Sequence, residues 1–65
     1  MNSAKLKGKI VEKNLNVVKV AESIEIGAKT FYKKIKSGRF TVNEAAKIKK
    51  VLGLTNEEAI EIFLD

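Results

Sequence analysis

Between Lys29 and Lys50 eight basic side chains stand against a single acid, Glu44. Lysine and arginine in such excess grip phosphate oxygens and donate to guanine edges, so polyanion recognition is the chemistry this segment offers. From Val51 onward the balance reverses, with Glu57, Glu58, Glu61 and Asp65 and no base. The middle third of the chain is therefore a candidate polyanion surface. Catalytic chemistry is poorly supplied by comparison. The chain has no His and no Cys, no acidic pair matched to a nucleophile, and no phosphate-cradling glycine loop. Glu57, Glu58 and Glu61 lack metal-loop spacing and read as helix-start and solvent residues. No enzyme, metal, cofactor or small-molecule substrate is expected.

The cations must be carried by helices. Val17, Val20, Ala21 and Ile24 recur at i, i+3, i+4 and i+7, one face of a helix. After Ile24-Glu-Ile-Gly27, the residues Ala28, Phe31 and Ile35 give a second apolar stripe, and Lys29, Thr30, Lys33, Lys34 and Lys36 fill the rest. Two short helices joined by such a turn predict a helix-turn-helix, whose second member enters a DNA major groove. Around them the pattern predicts an all-α domain of five helices. A first helix starts after Ser3 as N-cap and carries Leu6 and Ile10 inward, with its lysines in solvent. The second opens on Asn16, and the third ends at Ser37-Gly38, where glycine suits a left-handed cap. Thr41–Glu44 and Thr55–Glu58 are capping boxes for the fourth and fifth, and Gly53-Leu54 closes the fourth.

Sixty-five residues make one domain, spanning 1–65. At this size only about 60% of the unfolded surface is buried, so every apolar residue counts. The apolar runs are too short for a membrane span or a secretory leader, and a cytoplasmic protein with no membrane partner is expected. The fifth helix carries Ile60, Ile62, Phe63 and Leu64, more apolar surface than one face needs. That patch predicts a homodimer seam or a docking surface for a partner regulator; alternatively, Ile62 closes a core edge.

The order of these elements is recognisable. Leu6, Val20-Ala21, Ile24, Ile26, Phe31, Ile35, Gly38, Ala45, Ile48 and Val51-Leu52-Gly53-Leu54 match the buried and turn positions of the Cro/CI-type helix-turn-helix domain of phage and bacterial regulators, also called lambda-repressor-like or XRE. The segment TFYKKIKSG is similar to the TTFYRKLNG of many phage members. The resemblance spans roughly residues 5–64. It implies a compact five-helix lambda-repressor-like domain, double-stranded DNA as partner, and a bacterial or phage-infected bacterial cell. Three positions depart from the family pattern. Glu25 stands where glycine is usual, Gly27 where Ser or Thr caps the recognition helix, and Val17 where many members carry Gln. Either Glu25 takes a left-handed conformation at a cost of roughly 1 kcal/mol, or the turn is reshaped, with Gly27 supplying the freedom two places along.

On that frame a recognition helix of about 28–36 puts Ala28, Lys29, Thr30 and Lys33 against base edges. Phosphate contacts are expected from Tyr32, Lys34, Lys36, Arg39, Thr41 and Asn43, and from the start of the second helix at Asn16 and Val17. Arg39, beside a helix start with no neighbouring acid, is the strongest of these. Tyr32 also reads as a partly packed ring with its hydroxyl in water. Lys47, Lys49 and Lys50 read as a solvated face. The function expected is that of a sequence-specific transcriptional regulator of repressor or Cro type. The alternative is a protein-interaction module that keeps the fold and binds another regulator. RNA binding is disfavoured by the lack of exposed aromatics for stacking.

Overall fold

The computed structural model describes residues 1–64 and consists of helices joined by short turns. In chain order they are α1 (Ser3–Glu12), α2 (Val17–Ser23), α3 (Ala28–Ser37), α4 (Val42–Leu52) and α5 (Asn56–Phe63), with no strand among the described residues. The five periodic segments of the sequence are thus the five helices of the structure.

Their ends follow local chemistry. Thr41 and Thr55 each accept from the amide three residues on, while Glu44 and Glu58 reach back to the cap amides, completing both capping boxes. Asn16 caps α2 by accepting from the Lys19 amide. At α1 the cap is Asn2 rather than Ser3: the Asn2 side chain accepts from the Lys5 amide at 3.0 Å. Ser3 is drawn into the first turn, and its hydroxyl donates to the Ile35 carbonyl at the end of α3, 3.1 Å away. The side chain that looked like a cap therefore ties two helices together.

Four helices terminate in one way. The chain turns through a left-handed residue, and the next amide reaches back to a carbonyl five residues earlier: Leu15 to Ile10, Ile26 to Ala21, Arg39 to Lys34 and Leu54 to Lys49, at 2.9–3.1 Å. This is the Schellman arrangement. The left-handed positions are Asn14, Glu25, Gly38 and Gly53, with φ of 58°, 62°, 71° and 62°. After three of them an apolar residue folds onto the core, namely Leu15, Ile26 and Leu54. Two of the four turns use glycine, and asparagine tolerates this region through its short polar side chain. Glu25 has no such excuse, whereas Gly27 is extended at φ −69° and leaves its freedom unused. Replacing Glu25 by glycine is therefore expected to raise unfolding free energy by about 1 kcal/mol. Urea denaturation measures this, and an unchanged midpoint would show that the turn carries no strain.

The core is built from Leu6 and Ile10 of α1, Val20, Ala21 and Ile24 around α2, Phe31 and Ile35 of α3, Ile48, Leu52 and Leu54 around α4, and Ile62 of α5. Every helix contributes, as a 65-residue chain requires. Phe40, in the α3–α4 connection, stands edge-on to Phe31 (centroids 5.2 Å) and to Phe63 (6.1 Å), joining α3 to α5 through an aromatic row. Ile62 is 0% exposed, so it belongs to the core and not to the outer patch of α5. Termini meet here too, as the Asn2 amide donates to the Ile62 carbonyl at 2.7 Å.

Ion pairs fasten α1 to α5. Lys5 pairs with Glu61, and Lys9 pairs with both Glu58 and Glu12. Two of the α1 lysines expected in solvent are thus engaged, because α5 brings its acids alongside them. Lys9 and then the Thr55 amide pull the Glu58 carboxyl down from 4.5 to about 2, while Glu58 raises the Lys9 ammonium further. A carboxyl lowered in the folded state stabilises fully above its ordinary pKa, and that contribution disappears as pH falls through the folded value. Wild-type thermal stability should therefore decline between about pH 4.5 and pH 2. Glu58→Gln, which retains the cap geometry, should be less stable at pH 7 and should show a shallower acid decline. Parallel pH profiles for the two proteins would contradict this.

Candidate nucleic-acid interface

A helix that presents cations outward needs its apolar stripe firmly held, and α3 satisfies this. Phe31 and Ile35 are buried, Ala28 is half-buried against the same side, and α2 packs alongside across the turn Ile24–Gly27. The opposite side is then fixed by helical spacing. Lys29 and Lys33 lie four apart, Lys36 follows three later, and all three are exposed with Thr30 beside them. None of these lysines makes an ion pair among the described residues. Three parallel ammonium groups on one helix face repel one another in the free protein, and a row of phosphates relieves that repulsion.

The start of α3 adds to the same field. Gly27 provides no side-chain cap, whereas Asn2, Asn16, Thr41 and Thr55 each accept from an amide of the helix they open. The first internal bond of α3 is from the Phe31 amide to the Gly27 carbonyl, so the amides of Ala28, Lys29 and Thr30 have no partner among the described residues. With the helix dipole behind them, they favour an anion at that end.

The remaining residues separate by environment. Arg39, exposed in the loop after Gly38, forms no ion pair among the described residues. Thr41 and Asn43 are exposed just beyond it, at the start of α4, although the Thr41 hydroxyl already accepts from the Glu44 amide. Lys34 points the other way: its Nζ donates to Glu44 Oε1 at 3.1 Å, and both side chains are largely covered. Its ammonium is thus committed inside the molecule, where sequence spacing alone had aligned it with phosphate. The Thr41 amide and then Lys34 hold Glu44 below its ordinary carboxylate range against the opposing effect of burial. This bridge also neutralises the one acid in the basic segment, leaving the outward face purely cationic.

Tyr32 is 55% exposed, on the α1 side of α3, between two shallow grooves. One is lined by Lys7, Ile10, Val11, Leu15, Asn16 and Val17, the other by Ser3, Lys7, Ile35 and Lys36. The ring borders both grooves, with Lys7 and Lys36 among the residues around it. Lys7 is a neighbour that sequence reasoning missed, because only the packing of α1 on α3 brings it there. At the start of α2, the Asn16 Oδ1 accepts the capping bond, which leaves its Nδ2 donors unused by the cap, and Val17 is half-buried along the apolar groove. Any phosphate held there would rest on backbone amides and the Asn16 Nδ2 rather than on the Val17 side chain.

The arrangement, then, is one helix face of Lys29, Thr30, Lys33 and Lys36 with open amides at its start and Arg39 past its end. Among the described residues no group of His, Cys, Asp and Glu is placed to hold a metal, and no helix is long and apolar enough to cross a membrane. Comparison with family models, with curated proteins and with solved structures returns no match to this chain.

Proposed function

We propose that α2 and α3 act as a helix-turn-helix of the Cro/CI type and that the protein is a sequence-specific DNA-binding regulator. One observation carries this: the outward face of α3 holds three lysines that make no ion pair among the described residues, and the segment's one acid is consumed by Lys34. Lys29, Thr30 and Lys33 meet base edges in the major groove, lysine donating to guanine O6 and N7, while Ala28, half-buried on the inward side of α3, is left out of the contact. Lys36, Arg39 and the open amides at Val42 and Asn43 grip the flanking phosphates. A domain this small covers little DNA, so useful affinity requires two domains on half-sites about one helical turn apart.

Selection of bound duplexes from a random pool tests the proposal. A defined motif is expected for the wild type, and Lys29→Ala and Lys33→Ala should each relax preference at particular positions of it, costing about 1–3 kcal/mol of discrimination. Uniform weakening on every sequence would restrict both lysines to backbone contact. No enrichment at all would remove sequence-specific binding.

A further inference from the structure

Lys7 and Val11 lie one turn apart on α1, and Tyr32 and Lys36 lie one turn apart on α3. From Ser3 through Lys7 to Val11, α1 passes α3 in reverse order, from Ile35 and Lys36 back to Tyr32. The two grooves beside Tyr32 are therefore one trough with two kinds of end. One end, of ≈ 310 Å³, is apolar: Ile10 is buried beneath it, Leu15 and Val17 are half-buried, and Val11 stands 72% exposed. At the other, of ≈ 360 Å³, Lys7 and Lys36 flank the Tyr32 ring. Neither lining contains an acid, and neither lysine makes an ion pair among the described residues.

Duplex DNA suits only half of this trough, because phosphate gains nothing from Val11, Leu15 and Val17. A small molecule is poorly served as well, since so shallow and open a surface cannot enclose it. A helix is served well. Ser3 to Val11 covers about 12 Å along α1, or roughly two turns of a second helix laid beside it. Such a helix needs Leu, Ile or Phe at helical spacing for the apolar end and carboxylates a turn away for the lysines. We infer that the trough between α1 and α3 is a docking site for an acidic, amphipathic helix of a partner protein. Its apolar side chains cover Val11, Leu15 and Val17, and its carboxylates pair with Lys7 and Lys36. Docking excludes DNA, because Lys36 cannot hold a carboxylate and a phosphate together. That consequence rests on DNA binding by α3; the docking does not.

Panning a displayed library of random peptides against the 65-residue chain, free of DNA, tests the trough. Enriched peptides are expected to carry Leu, Ile or Phe at helical spacing with Asp or Glu one turn away. Val11→Asp and Lys7→Glu should each weaken a synthesised enriched peptide at least about tenfold. Both side chains lie in solvent, so the helical circular dichroism of the wild type should be retained. Replacing the peptide's acids by lysine should restore binding to the Lys7→Glu variant, which no indirect structural effect would do. No enrichment, enriched peptides without acids, or binding indifferent to both variants would overturn the proposal. The chain's own α5, with Glu57, Ile60, Glu61 and Leu64 exposed, is the rival occupant. Wild-type self-association in sedimentation equilibrium that Val11→Asp abolishes would overturn the partner helix in favour of a second copy. A peptide that docks on a chain indifferent to DNA would uphold the trough and defeat the α3 proposal, so the two fail separately.

Discussion

Phe31→Ala should remove about half of this protein's folding stability. Phe31 is the largest fully buried side chain, and it faces Phe40, which in turn faces Phe63. Truncation empties the place where α3 meets the α3–α4 connection and breaks the aromatic row at its inner end. Buried Phe→Ala changes cost about 3–5 kcal/mol, from lost transfer free energy and the cavity left behind. A domain of this length has roughly 3–10 kcal/mol of stability in total. Tyr32→Ala, one residue along and 55% exposed, should cost under about 1 kcal/mol. Urea denaturation followed by circular dichroism compares them. Equal losses would mean that α3 is not seated through Phe31.

The contrast between these two aromatics also marks what could be read from sequence. Phe31 falls on the apolar spacing of α3 and Tyr32 does not, so the inward face was legible. The capping boxes at Thr41 and Thr55 were equally plain, because cap, amide and glutamate are all within one turn. Other features depended on partners far along the chain. Ser3 looked like a cap until Ile35, 32 residues away, took its hydroxyl. Ile62 read either as part of an outer patch or as the closure of a core edge, and only the packing of α5 decides for the core, to which all five helices contribute. Lys34 was indistinguishable from Lys33 by type, and only the position of α4 decided that its ammonium would meet Glu44. Glu25 is the instructive case. Its residue type argues against a left-handed turn, but the Ile26 amide reaching the Ala21 carbonyl and the packing of Ile26 impose one. Val42 and Ala46 lie on the outer side of α4, which only the packing of α4 against α5 reveals. The groove they flank between those two helices lies open to solvent.

Affinity for DNA should collapse with salt. Lys36 and Arg39, the side chains that grip phosphate in this reading, are exposed and unpaired among the described residues, so docking α3 neutralises about two phosphates per domain, or four for the two domains on paired half-sites. Each neutralised phosphate releases counterions, and four of them give a slope of about −3.6 in log affinity against log salt. Between about 50 mM and about 200 mM salt this amounts to roughly a hundredfold loss for the pair of domains. Lys33→Glu should reduce binding further at every salt concentration, since it places a carboxylate at the centre of the row, while leaving the buried face of α3 intact.

The direct measurement is fluorescence anisotropy of a short labelled duplex titrated with the 65-residue chain across that salt range. Saturable binding at low salt, a steep negative salt slope and a shallower slope for Arg39→Ala are the predicted results. Absence of binding at low salt, or an affinity indifferent to salt, would contradict a DNA-binding role for the lysine face of α3.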